Sequence, residues 1–322
     1  MTDTNALADT VQTSVEIPDW GGPDAFALVE HPVPVPAADE VLVRTHAAGL
    51  NPVDWKVRAG MYSAAFKVPF PIVLGRDFSG TVLAVGPDAA GGWAPGDEIV
   101  GTLAFKPPMG AYSTHLVTSD AAMVRRPETV APRDAAAVPV GAMTAWQALH
   151  EVAEVEAGQK VLVHAGAGGV GHFAVQLASQ AGCEVVATCS PNNADFVLSL
   201  GASRTVDYNA APFEEQVSGF DVVIDCVGGD VLERSYRVLK PGGIAVTMAA
   251  RPEPGPAEAL GVRTDLVFHR QDPVLLASLL DMVAAGTLSV HLDASYPLAD
   301  VAAAHVVLES GHVRGKLVLA TR

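Results

Sequence analysis

Cysteine is scarce in this chain of 322 residues: only Cys183, Cys189 and Cys226 occur, all in one stretch. An odd trio so confined excludes a disulfide framework and points to a reducing compartment, read as cytoplasmic. Basic residues are also few, 20 Lys plus Arg against 36 Asp plus Glu, for a formal net charge of -16. That balance excludes nonspecific nucleic-acid binding and docking on anionic lipid. Charged residues reach only 17% while hydrophobic ones reach 49%, which excludes disorder as the main state. Residues 1–10 have no basic start and no apolar run, so no secretory signal is expected there. The charge-free stretch 161–183 is long enough for a membrane span, but its five glycines, two histidines and two glutamines argue against one. What remains suits a protein that meets a small molecule at a local site.

The length allows roughly two domains. The first third reads as short strands, at 13–17, 25–31, 40–50, 79–86 and 97–104, separated by Gly- and Pro-rich turns such as WGGPD and GPDAAGGWAPGD. This spacing predicts a barrel or sandwich. Beyond Ala135 apolar strands alternate with helical segments. The strands fall at 160–165, 184–189, 204–208, 221–228, 243–250 and 265–269, and the helices at 169–182, 193–201, 231–239 and 273–286. Alternation of this kind calls for a parallel, doubly wound sheet, so the fold class is α/β. A last helix at 298–310 and a strand at 315–321 are expected to rejoin the first domain. The domains are placed at 1–136 with 272–322, and at 137–271.

The strongest motif is HAGAGGVG at 164–171. It follows an apolar strand and opens a helix, the setting in which G-x-G-x-x-G binds a dinucleotide. Gly166 permits the tight turn, Gly168 lets a diphosphate approach the backbone, and Gly171 lets the helix pack close to the sheet. The N–H groups of Gly169 and Val170 would face the phosphates, with the helix dipole behind them. At the end of the second strand stand Thr188, Cys189 and Ser190, then Pro191-Asn192-Asn193. With no acid there to hold a ribose 2′-OH, NADP(H) is favoured over NAD(H). No Lys or Arg lies between Lys160 and Arg204 to bind the 2′-phosphate. Ser190 and Asn193 would serve by hydrogen bonding, or as helix caps. Cys189 reads as an unactivated thiol, since no cation is adjacent in sequence.

The segments GLNPVDWKVRAGMY (49–62), PIVLGRDFSGTVLAVG (71–86), GDEIVG (96–101), AAAVPVGAMTAWQAL (135–149), HAGAGGVG and GHVRGKLVL (311–319) resemble the medium-chain dehydrogenase/reductase superfamily. The nearest branch is the zinc-free quinone oxidoreductases, and the resemblance runs from about residue 12 to the end. It implies a GroES-like β-barrel catalytic domain plus a Rossmann domain with strand order 3-2-1-4-5-6, and a homodimer joined at the Rossmann edge, here 262–269. Zinc enzymes of the superfamily carry Cys where this chain has Asn51 and His-Glu where it has Arg76-Asp77, so no metal is expected.

Without a metal, alcohol oxidation loses its Lewis acid, whereas hydride delivery to an electrophilic quinone or α,β-unsaturated carbonyl remains feasible. By resemblance, Asn51 lies on the substrate side, its amide donating to a carbonyl or binding the cofactor; it also suits a turn before Pro52. Asp54 reads as an organiser of that loop. Lys56 would stabilise an oxyanion, or is a solvated surface lysine. Tyr62 would donate a proton to an enolate, or is an aromatic lid contact. The resemblance assigns cofactor contacts to Thr144, Tyr208, Met248, Ala249, Ala250 and Phe268. Lys316 is either a cofactor contact or a barrel-edge lysine. Lys56, Arg58, Lys67, Arg76 and Lys106 would supply a basic rim for a carrier-bound acyl substrate, which keeps enoyl-thioester reduction as an alternative. The alternative of another class is an NADPH-binding structural or regulatory protein without turnover.

Overall fold

A computed structural model describes residues 11–321, apart from 66, 68, 107–108 and 120–122. The chain divides into two compact units, Gly141–Arg270 and a discontinuous one of Met1–Val140 with Gln271–Arg322.

Gly141–Arg270 is built on a parallel six-stranded sheet. Its strands lie in the order Arg204–Asp207, Glu184–Cys189, Lys160–Val163, Phe220–Asp225, Leu239–Thr247 and Arg263–Leu266. That is the third, second, first, fourth, fifth and sixth strand of this unit, so the chain reverses direction across the sheet beside Lys160–Val163. In open α/β sheets this reversal leaves a crevice at the strand carboxyl ends where ligands bind. Val161, Leu162 and Val163 are all fully buried, as expected of a central parallel strand covered on both faces. The helix that follows, Gly171–Gln180, buries every residue from Gly171 to Ala178. It carries no charge, so it tolerates burial on all sides. The fifth strand starts at Leu239, four residues earlier than its apolar run suggests: Leu239 pairs with Phe220, and Lys240-Pro241-Gly242-Gly243 bulges out of register, with Gly242 at a φ of 79°, before pairing resumes at Ile244.

The other unit carries a mixed sheet in the order Leu292–Pro297, Lys316–Ala320, Glu40–Gly49, Asp77–Val85, Glu98–Thr102 and Met123–Arg125. A further three-stranded sheet joins Ala27–Pro32, Val11–Ile17 and Ile72–Val73. The long strand Glu40–Gly49 organises the unit. Its first half pairs with His115–Ser119, while Ala47, Ala48 and Gly49 pair with the final strand Lys316–Ala320. Register shifts at Leu42/Val43 and Thr45/Ala47 bend it between these partners. Gly49 ends the strand under the helix Pro132–Ala137, where a Cβ would lie 2.2 Å from the carbonyl oxygen of Ala136. The bent strand thus delivers Leu50 and Asn51 beside the last strand of the chain. Val15, Leu50, Phe78, Ile99 and Leu317 close the core beneath.

Candidate functional site

In the Gly141–Arg270 unit the glycine loop is shaped by contacts that exclude side chains. Ala165 turns the chain at a φ of 51°, and its N–H donates to Thr188 Oγ1 at 3.1 Å. The N–H of Gly166 donates to the carbonyl of the same Thr188 at 2.9 Å. A Cβ on Gly166 would meet Ala187 Cβ at 2.7 Å, and one on Gly171 would meet the Ala165 carbonyl oxygen at 2.1 Å. The space beside Gly168 is different: there a Cβ would approach only Ala165, at 3.2 Å. Gly166 and Gly171 are therefore required by the protein itself, and Gly168 leaves room for something that is not protein. This is the shape a dinucleotide diphosphate fits.

Sequence reasoning overlooked how this loop is braced. His164 is buried, with Nδ1 3.1 Å from Thr188 Oγ1 and Nε2 2.9 Å from Ser235 Oγ. Ser235 donates its proton to the Val231 carbonyl at 2.6 Å, so it accepts from His164 Nε2–H; in the neutral ring Nδ1 then accepts from the Thr188 hydroxyl, whose oxygen also accepts the Ala165 N–H. Burial, above all, drives the His164 pKa down to about 4, so the ring is neutral. Asp225 ties the strand ends together. It accepts from the N–H groups of Val227 and Gly228 and from Thr247 Oγ1 at 2.7 Å. A buried acid at a strand end, as in DVVIDC, was the available signal.

The remaining cofactor candidates of this unit lie along its strand ends. Thr144 is buried, its Oγ1 3.4 Å from His269 Nδ1, and the neighbouring Phe268 is 71% exposed. Met248 and Ala249 are half-buried and Ala250 is exposed, just past the fifth strand. Tyr208 is exposed after the third strand. Asn193 Nδ2 donates to Ser190 Oγ at 3.2 Å, and neither side chain caps a helix, so the capping alternative is not what the fold uses. Cys189 is buried, and burial followed by the Asp207 charge raises its thiol pKa, consistent with an unactivated cysteine.

In the other unit the candidates gather around Asn51, which precedes the helix Pro52–Arg58. Its backbone N–H donates to Asp54 Oδ2 at 2.8 Å. Its side chain donates from Nδ2 to Asp77 Oδ2 at 2.9 Å and accepts at Oδ1 from Lys316 Nζ at 2.6 Å. A carboxylate only accepts and an ammonium only donates, so the carboxamide orientation is fixed by its neighbours. Lys316 also donates to the Leu50 carbonyl at 2.8 Å and is buried, which pulls its pKa down against the opposing pull of Asp77 and Asp54. Lys316, expected among cofactor contacts or at a barrel edge, is thus an inward lysine gripping Asn51. Asp54 and Asp77 are fully buried, and their Oδ1 atoms have no hydrogen-bond partner among the described residues.

Lys56 is half-buried on the same helix. Tyr62 follows in the next turn, its ring edge-on to Phe105 at 5.3 Å. The basic rim is corrected by the structure. Arg58 and Arg76 are buried to 1% and 4% exposure, and Arg76 Nε donates to the Leu103 carbonyl at 2.9 Å. Two of the five rim cations therefore face inward.

Two family models match the chain: "alcohol dehydrogenase GroES-like domain" over residues 37–128 and "zinc-binding dehydrogenase" over residues 200–319. A chloroplast envelope quinone oxidoreductase homolog of Arabidopsis thaliana is 32% identical, covering 93% of this chain and 95% of that protein. Among solved structures, the quinone oxidoreductase of Coxiella burnetii superposes with a TM-score of 0.92 at 34% identity, covering 97% of this chain and all of that one. The Escherichia coli quinone oxidoreductase, solved with NADPH, gives a TM-score of 0.87 at 27% identity, covering 96% of this chain and 99% of that one. Among the described residues no group of three or more His, Cys, Asp or Glu is arranged to hold an ion.

Proposed function

The chain belongs to the medium-chain dehydrogenase/reductase superfamily, on its quinone oxidoreductase-like branch, and is an NAD(P)H-dependent oxidoreductase; from that premise we propose that it is a metal-free, NADPH-dependent reductase of quinones or α,β-unsaturated carbonyls. The observation that carries this reading is the grip on Asn51. Where the superfamily's zinc enzymes hold a metal-bound cysteine, this chain holds a neutral carboxamide with an ammonium 2.6 Å from its oxygen. A dication is disfavoured beside Lys316.

When bound, a reduced nicotinamide supplies a hydride. Every other part belongs to the chain. Gly166, Gly168, Gly169, Val170 and Gly171 cradle the diphosphate. Ser190, Asn193 and Tyr208 line the adenosine end, with Thr144, Met248, Ala249, Ala250 and Phe268 toward the nicotinamide. The Asn51 carboxamide orients the acceptor, Lys56 stabilises the oxyanion that develops on it, and the Tyr62 phenol donates the proton. The outermost strand Arg263–Leu266, with Phe268 exposed just beyond, supports a homodimer through this sheet edge.

The test is NADPH oxidation by chelator-treated protein, with a quinone and an enone in parallel and NADH as control. Turnover that survives chelation and prefers NADPH is expected, and the better acceptor chooses between the two substrate classes. Activity lost on chelation and restored by zinc would sink the proposal. NADPH binding without turnover would favour a binding protein.

A further inference from the structure

A second buried network runs beneath the helix Pro52–Arg58, and the proposed reaction makes no direct use of it. Arg58, His305, Tyr112 and Asp54 are each no more than 1% exposed. Arg58 Nη1 lies 3.1 Å from His305 Nδ1, His305 Nε2 lies 3.3 Å from the Tyr112 hydroxyl, and that hydroxyl donates to Asp54 Oδ2 at 2.9 Å. The direction of every bond follows from chemistry. A guanidinium can only donate, so His305 Nδ1 accepts and Nε2 carries the ring proton. Nε2–H then donates to the Tyr112 oxygen, whose own proton is committed to Asp54. At the far end Arg58 Nη2 pairs with Glu309, and Nε donates to the Gly21 carbonyl. Along the relay Arg58–His305–Tyr112–Asp54 every donor therefore points toward Asp54. The same Asp54 oxygen receives the Asn51 backbone N–H.

We propose that Tyr112 and His305 are positioning residues for the Asn51 carboxamide, acting through the Asp54 carboxylate. The role in catalysis rests on the reading that Asn51 orients the substrate. The physical case is a balance. Burial favours the neutral acid, and the Asp77 charge adds to that. The Asn51 and Tyr112 hydrogen bonds and the Arg76 charge oppose it, leaving the Asp54 pKa at about 6. Arg58 one turn along, Lys316 on the last strand and neutral His305 on Val301–Glu309 are the other titratable groups around it. With the carboxylate intact, Asn51 N–H holds a charge-assisted bond that sets the start of the helix and the carboxamide beyond it. Without the Tyr112 donor, Asp54 takes up a proton at higher pH, and that bond weakens.

The test is Tyr112→Phe, which keeps the ring and deletes only the donor. Two readouts are taken on the whole protein: the side-chain amide signals of Asn51 in asparagine-labelled protein as a function of pH, and the pH profile of kcat/KM. In the parent, the Asn51 signals titrate with Asp54. In Y112F that titration moves up by about one pH unit, the scale of one lost charge-assisted hydrogen bond. The acid limb of kcat/KM moves with it. His305→Gln, whose amide nitrogen can still donate to Tyr112, shifts less than His305→Ala, so the pair serves if Y112F does not fold. An Asn51 titration that stays put in folded Y112F, or equal shifts in H305Q and H305A, overturns the proposal. A titration that moves while kcat/KM does not leaves the chain of donors standing and refutes the assignment of Asn51 to the substrate.

Discussion

Two glycines of one loop should fail in different ways, and the difference tests whether the loop holds a diphosphate. At Gly171 an added Cβ lies 2.1 Å from the Ala165 carbonyl oxygen, 2.9 Å from the Ala165 carbonyl carbon and 3.0 Å from Gly166 Cα, where 3.4 Å or more is ordinary. All three are backbone atoms, and Ala165 is already held at positive φ by its bond to Thr188. Gly171→Ala must therefore push the loop away from the helix. Overpacking of this kind costs about 1–3 kcal/mol, or roughly 3–10 °C in Tm for a unit of this size. At Gly168 the added Cβ meets only Ala165, at 3.2 Å and 3.9 Å, and the backbone is not in the left-handed region. Gly168→Ala should leave Tm within about 2 °C of the parent, since small adjustments away from core overpacking fall near half a kcal/mol. Its methyl group, however, would stand where a diphosphate must approach. NADPH affinity should fall at least about tenfold, or ~1.4 kcal/mol. The assay is nucleotide fluorescence titration alongside calorimetry on both variants. A G168A protein that binds NADPH like the parent would refute the cradle, and a G168A protein destabilised as much as G171A would refute the steric argument.

Lys316→Met should orphan the Leu50 carbonyl and Asn51 Oδ1, costing about 1–3 kcal/mol in denaturant unfolding; it should also lower kcat/KM at least about tenfold. Tyr62→Phe should lower kcat with KM little changed if the phenol supplies the proton, by about 10²-fold. Equal activity in a stopped-flow comparison would reassign Tyr62 to its ring contact with Phe105. His164, held neutral with a pKa of about 4 against 6.5 when unfolded, contributes stability that is present above pH 6.5 and lost as pH falls toward 4. At pH 4.5 the Gly141–Arg270 unit should have lost about 2–3 kcal/mol by this route, and the acid limb of its thermal unfolding should flatten in His164→Gln.

The glycine loop and the parallel α/β character of its unit were legible because both are written locally, whereas the strand order came with the family resemblance. An apolar strand, four glycines and an apolar helix occur within about twenty residues, and their meaning depends little on the rest of the chain. The strands His115–Ser119 and Met123–Arg125 were not expected; the second has only three residues. Arg58 was misread as a rim cation for a different reason. Its neighbours Trp55 and Val57 suggest nothing unusual, and its partners, Glu309 and His305, stand some 250 positions away in sequence.

The Asn51 cluster shows what kind of signal was available and missed. Asn51 and Asp54 sit three apart, the spacing of a helix start whose third residue bonds back to the cap, so their backbone bond was readable from the sequence. Lys316 was readable in part. A lysine inside GKLVLA, followed by four residues that are all buried, has to bring its charge to an acceptor or leave the strand. What the sequence does not contain is the address of that acceptor. It is supplied by the antiparallel pairing of Val318 with Gly49, which sets Lys316 beside Leu50 and Asn51 across 265 residues. The site's chemistry thus depends on a register, and a register is a property of two strands together. The consequence is that Gly49 should matter as much as Asn51. A Gly49→Ala methyl, 2.2 Å from the Ala136 oxygen and 3.1 Å from Asp77 Cβ, should disturb the end of that pairing and loosen Lys316 from Asn51 without touching either residue. Lower kcat/KM in G49A, with NADPH affinity unchanged, is the expected result. Parent-like kcat/KM in a folded G49A protein would show that the register is held elsewhere.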